Sequence, residues 1–175
     1  MSGLKFLVVV PTNPEADADR MTKFLIHGSL LQEPQQFSIN FVNSPSCTDN
    51  ITYHFKVKIP EQMIVENYKS DGEWSASHQE KYLNIFDGNT DKKISDTPSI
   101  KNGIDAVLNY SSTETAFSLM FQLDRANSTI DVYQVRGNGH NFVTKYETLF
   151  SLSEIQSIQV WGDVKKINQF SLSYD

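Results

Sequence analysis

The sequence is poor in cysteine: Cys47 is its one thiol in 175 residues. A single cysteine excludes an intramolecular disulfide and a cysteine-rich metal site. Long apolar runs are missing too. Phe6-Leu-Val-Val-Val10 is the longest tidy run near the start, and Pro11 stops it. That is too short for the core of a signal peptide, and nothing approaches the roughly 20 apolar residues of a membrane span. Synthesis in the cytosol, cytoplasmic residence and no membrane insertion are therefore expected. Basic residues are in deficit, with 15 Lys and Arg against 21 Asp and Glu, a net charge of −6. A general nucleic-acid binder carries a basic face, so no nucleic-acid partner is expected.

Catalytic signatures are scarce as well. No Gly-x-Ser-x-Gly elbow and no phosphate-cradling glycine loop occur. Arg136-Gly-Asn-Gly139 reads better as a hairpin. His27, His54, His78 and His140 lack the spacing of a zinc site. A carboxylate pair for glycoside hydrolysis cannot be picked out of 21 acidic residues. The expectation is no enzyme, no cofactor and no metal. Three Asn-x-Ser/Thr sequons, at Asn50, Asn109 and Asn127, read as chance in a chain expected to stay in the cytosol.

Helix signals are few, and roughly eleven strand candidates recur at short spacing, the mark of an all-β sandwich or barrel. The length suits a single domain, residues 1–175, with a sizeable core. Leu4 to Val10 reads as a strand and Lys23 to Gly28 as another. Phe37 to Val42 alternates with Phe37, Ile39 and Phe41 inward. Lys81 to Phe86 is a further strand candidate. Residues 87–109, with Gly88, Pro98 and Gly103, read as an inserted or elongated loop. Phe117 to Leu123, Thr129 to Val135 and His140 to Tyr146 return to strand character. A short helical turn is expected at Ser153, then strands at Ile158 to Val164 and Phe170 to Tyr174.

One stretch, Ile51 to Gln79, organises the rest. Ile51, Tyr53, Phe55, Val57 and Ile59 alternate with Thr52, His54, Lys56 and Lys58. A period of two puts each set on one face of a strand, so His54, Lys56 and Lys58 share the polar face. A short strand through Val65 and Asn67 follows, then a Lys-Ser-Asp-Gly turn, then Trp74. An indole beside a row of polar side chains suits a sugar, whose C–H face packs on the ring while its hydroxyls take fixed donors and acceptors.

These residues resemble the galectins. That family carries His-x-Asn-x-Arg, then Val-x-Asn, then Trp-x-x-Glu-x-Arg on three successive strands. Here the text is His54-Phe-Lys56-Val-Lys58, Val65-Glu-Asn67, and Trp74-Ser-Ala-Ser77-His-Gln79. Order elsewhere agrees: a Phe-x-Ile-Asn strand, a Gly-Asn-Gly hairpin, and a strand ending Gly-Asp-Val. The resemblance implies an antiparallel β-sandwich of jelly-roll, concanavalin-like form that binds galactose-containing glycans or glycoproteins. By resemblance, His54 bonds the axial galactose hydroxyl, Trp74 stacks the ring, and Asn67 offers an amide. Export by a non-classical route is implied as well.

The departures carry their own expectation. Lys56 replaces an asparagine and Lys58 an arginine; a lysine cannot make the planar two-pronged contact of a guanidinium. Ser77 replaces the glutamate and Gln79 the second arginine, although sliding the match after Trp74 brings in Glu80 and Lys81 instead. The carbohydrate-binding set read from the resemblance is thus His54, Lys56, Lys58, Asn67, Trp74, Ser77 and Gln79. Two lysines without the matched carboxylate point to altered or acidic glycans, sulfated or sialylated. The alternative is a protein-interaction module that kept the fold and lost the sugar, with a homodimer through terminal strands as one form of it.

Overall fold

The computed structural model describes residues 5–11, 21–75, 81–84, 107–110, 115–137 and 139–174. Alternation of apolar and polar residues becomes strand after strand: β1 (Phe6–Val9), β2 (Met21–Leu30), β3 (Gln36–Val42), β4 (Ile51–Lys58), β5 (Met63–Ser70), β6 (Glu73–Trp74) and β7 (Lys81–Asn84). Then come β8 (Leu108–Tyr110), β9 (Thr115–Asp124), β10 (Thr129–Arg136), β11 (Gly139–Glu147), β12 (Ser157–Gly162) and β13 (Val164–Tyr174). Two antiparallel sheets result. The first runs β1-β12-β3-β4-β5-β6, with β7 also on β5; the second runs β11-β10-β9-β2-β13, with β8 also on β9. This is the expected antiparallel β-sandwich.

The core lies between the sheets. Phe37, Ile39, Phe41, Tyr53, Phe55 and Val57 face inward from the first sheet, and Phe24, Ile26, Phe117, Leu119 and Phe121 meet them from the second. The aromatic rings interlock: Phe121 packs edge-on against Phe41 at 5.1 Å and Phe55 at 5.5 Å. Phe37 stacks on Phe117 at 4.5 Å. Full burial of each such side chain contributes about 1.5–3 kcal/mol.

Inward-facing Glu66 breaks the apolar pattern. It is fully buried on β5. Its carboxylate accepts from the Tyr53 hydroxyl on β4 and from the Thr144 hydroxyl on β11 at 2.9 Å. The second contact ties one sheet to the other through the core. Burial, and then the Glu66 carboxylate, push the Tyr53 phenol well above its ordinary value.

Several boundaries differ from the sequence reading. The second strand does not end at Gly28 but continues to Leu30. Gly28 is required inside the strand because the Phe117 ring lies on it; a Cβ there would sit 2.5 Å from Phe117 Cζ. The expected helical turn is a 3-10 turn at Leu152–Glu154, closed by a capping box between Ser151 and Glu154. Leu108 and Asn109, read as the end of the long loop, open β8, while residues 85–106 lie outside the described ones. No helix among the described residues is long and apolar enough to cross a membrane.

Candidate functional site

With Tyr53, Phe55 and Val57 committed to the core, His54, Lys56 and Lys58 stand on the outer face of the first sheet. Register brings neighbours alongside. Asn40 of β3 and Asn67 of β5 are the direct partners of His54, and Ser38 and Val65 flank Lys56. A two-residue turn, Asp71-Gly72, folds β6 back onto β5 and pairs Trp74 with Lys69. Both turn residues have positive φ, 52° and 81°, the geometry that suits a tight hairpin and that Asp-Gly adopts readily. The loop before β4 fixes this turn from the side. Asp71 N–H donates to Asn50 Oδ1, and Gly72 N–H donates to the Asp49 carbonyl, both at 2.9 Å.

The turn lays the Trp74 indole beside His54, with ring centroids 4.6 Å apart and planes tilted by 49°. Trp74 keeps 46% of its surface exposed, high for so large an apolar side chain. The Lys69 ammonium lies over the same indole, 5.2 Å from its centroid. His54 Nδ1 donates to Asn40 Oδ1 at 2.5 Å. Burial, and then the ammoniums of Lys56 and Lys69, hold the imidazole neutral by lowering its pKa from 6.5 to about 4. With Nδ1 as the donor, a neutral ring presents Nε2 as an acceptor.

Asn67 is only 2% exposed. Its Oδ1 accepts from the Tyr68 N–H at 2.8 Å and from the Ser75 hydroxyl. Its donating end is therefore the Nδ2 amide. Ser75 follows Trp74 directly, so this contact also fixes the exit of β6.

The structure thus gathers His54, Asn67 and Trp74, with Lys56 on the next outward position. Lys58 is four residues from His54, about 13 Å along the strand, and its ammonium lies 3.7 Å from Glu61. Ser77 and Gln79, and with them Glu80, lie outside the described residues. Sequence reading missed Asn40 and Lys69. Both were marked by alternation: Asn40 lies between inward Ile39 and Phe41, and Lys69 two positions beyond Asn67. A second indole, Trp161 of β12, projects from the same face and is 41% exposed. No group of three His, Cys, Asp or Glu that could hold a metal occurs among the described residues.

A sandwich with an exposed indole beside a neutral histidine on one open face is the arrangement of a lectin, and the family comparison agrees. The profile of the galactoside-binding lectin family matches residues 10–172, nearly the whole chain, and this chain belongs to that family. Among solved structures, it is similar to sheep galectin-11 in complex with glycerol, at 13% identity and a TM-score of 0.61. That match covers 99% of this chain and 98% of the other, and speaks for the fold. No curated protein sequence matches.

Proposed function

We propose that this chain binds galactose-containing or altered, including acidic, glycans on the outer face of its first sheet, without catalysis. The observation that carries this reading is the pairing of Trp74 with His54: an accessible indole 4.6 Å from a histidine of depressed pKa. The indole supplies a flat apolar floor for the C–H face of a pyranose. His54 Nε2 accepts from a hydroxyl, and Asn67 stands beside His54 as its cross-strand partner, the position to which the resemblance assigns the site's amide. Lys56 adds positive charge beside His54 on β4, while the Lys58 ammonium lies at the far end of the strand near Glu61. The ligands are glycans or glycoproteins, met in the cytoplasm or, after export by a non-classical route, outside the cell. The single-domain reading, with residues 87–109 as an elaboration of the sandwich, belongs to the same proposal.

The test is retention on immobilised lactose and on asialofetuin, with elution by free lactose. Retention on either column supports a lectin. Flow-through on both, with no signal on an array that includes sulfated and sialylated glycans, overturns it.

A second reading rests on the flank where the terminal strands meet. Leu7 and Val9 on β1 and Phe170 on β13 are exposed, and Phe6 packs on Phe170 at 5.4 Å, so the open edges of both sheets lie together. Two paired edges suit strand-to-strand association of two copies. Sedimentation equilibrium across a concentration range tests this, and a strictly monomeric protein contradicts it.

A further inference from the structure

We propose that Lys69, together with Lys56, is the specificity determinant for a negatively charged galactoside, and that Lys58 is not part of that recognition. This deepens the lectin reading and rests on it. Four observations converge. Lys69 is the cross-strand partner of Trp74, and its ammonium is parked over the indole face at 5.2 Å. Lys56 is the next outward residue after His54 on β4. Asn67 is the cross-strand partner of His54, so along the paired strands Lys56 lies two positions to one side of that pair and Lys69 two positions to the other. Lys58, by contrast, is at the far end of β4 with its ammonium near Glu61.

The chemistry follows from what a ligand must displace. A sugar ring stacking on the indole face that the Lys69 ammonium covers must displace that ammonium. Losing an exposed cation–π contact lowers affinity by a factor of roughly two to five. A neutral galactoside bears that loss without return. A galactoside carrying a sulfate or a carboxylate beside the stacked ring gives the displaced ammonium a charged acceptor, and Lys56 supplies a second donor from the other side of His54. Lysine suits this role because its long flexible stem lets the ammonium swing from the ring to the anion. The fixed donors that grip a neutral ring give way here to mobile cations that grip a charge.

The test is isothermal titration of the full chain with lactose and with 3′-O-sulfated lactose, repeated for Lys69→Gln, Lys56→Gln and Lys58→Gln. The expected wild-type result is tighter binding of the sulfated sugar, by about tenfold, the scale of one charge-assisted hydrogen bond. That preference should weaken as salt is raised. Lys69→Gln should erase most of it while leaving lactose affinity unchanged or slightly improved; Lys56→Gln should reduce it; Lys58→Gln should leave it intact. Equal binding of both sugars by the wild type overturns the inference and leaves the lectin reading standing. Equal loss of both sugars in Lys69→Gln also overturns it, because Lys69 would then only position Trp74. Binding of neither sugar removes this inference and the lactose-type reading together.

Discussion

His54 and Trp74 face each other across one strand, their ring centroids 4.6 Å apart, although twenty residues separate them in sequence. β5 lies between them, and the Asp71-Gly72 hairpin reaches over it to return the indole to the histidine. This proximity makes the protonation state of His54 part of the site. Its pKa falls to about 4 because the ring is largely shielded from water and because Lys56 and Lys69 repel a third positive charge. The folded-state value is below the unfolded one, so the folded protein resists protonation. The stability tied to a neutral His54 is whole above 6.5 and is lost as pH falls through about 4. Galactoside affinity should accordingly stay flat from about pH 7 to about pH 5 and drop below that, because a protonated Nε2 no longer accepts. An NMR titration of the His54 ring protons checks the assignment; a midpoint near 6.5 contradicts it.

The Glu66 tie makes a prediction about stability. Thr144→Val removes one of the hydroxyl donors to a fully buried carboxylate and keeps the side-chain shape. A loss of about 1–3 kcal/mol in urea unfolding is expected, the cost of leaving a buried acceptor short of a partner. Replacing Tyr53 by Phe in the Thr144→Val protein should cost more than the two single changes combined, since both hydroxyls serve one carboxylate. Additive losses would mean that the network is not a unit.

Two glycines are placed where no side chain fits. At Gly28 an added Cβ meets the Phe117 ring, which is itself stacked on Phe37. Gly28→Ala should therefore cost about 1–3 kcal/mol through overpacking. Gly162 combines a φ of +113° with a Cβ position 2.6 Å from the Gln36 carbonyl and Phe37 Cα. These are backbone atoms and cannot swing aside, so Gly162→Ala should be the more destabilising of the two. Thermal melts of the two variants decide the order.

Much of this was legible in the sequence, for a physical reason. The sandwich writes itself in period-two alternation, because one face of each strand must be apolar; Ile51 to Lys58 and Phe37 to Val42 state their own inward and outward sets. Trp74 was legible through the Asp71-Gly72 turn before it. Cross-strand register was not, since it depends on which strands pair and where bulges fall. Hence Asn40 beside His54, and Lys69 over Trp74, came only with the structure. Glu66 was hidden for a different reason. A charged residue between Val65 and Asn67 looks like an ordinary polar position, whereas in the fold its carboxylate accepts from the hydroxyls of Tyr53 and Thr144, which helps a charge to live in the core.

Lectin function on this face requires that a sugar ring lie on Trp74. Because Trp161 is a second accessible fluorophore on the same face, Trp161→Phe provides the background in which Trp74 emission reports alone. Titrating that protein with lactose and with its 3′-sulfated form should shift the emission to the blue as the ring covers the indole. Trp74→Ala should abolish binding of both while changing folding stability by no more than about 0.5 kcal/mol, as fits a half-exposed side chain. Full retention of sugar binding by a correctly folded Trp74→Ala protein, or an emission spectrum that saturating sugar leaves unmoved, would contradict it.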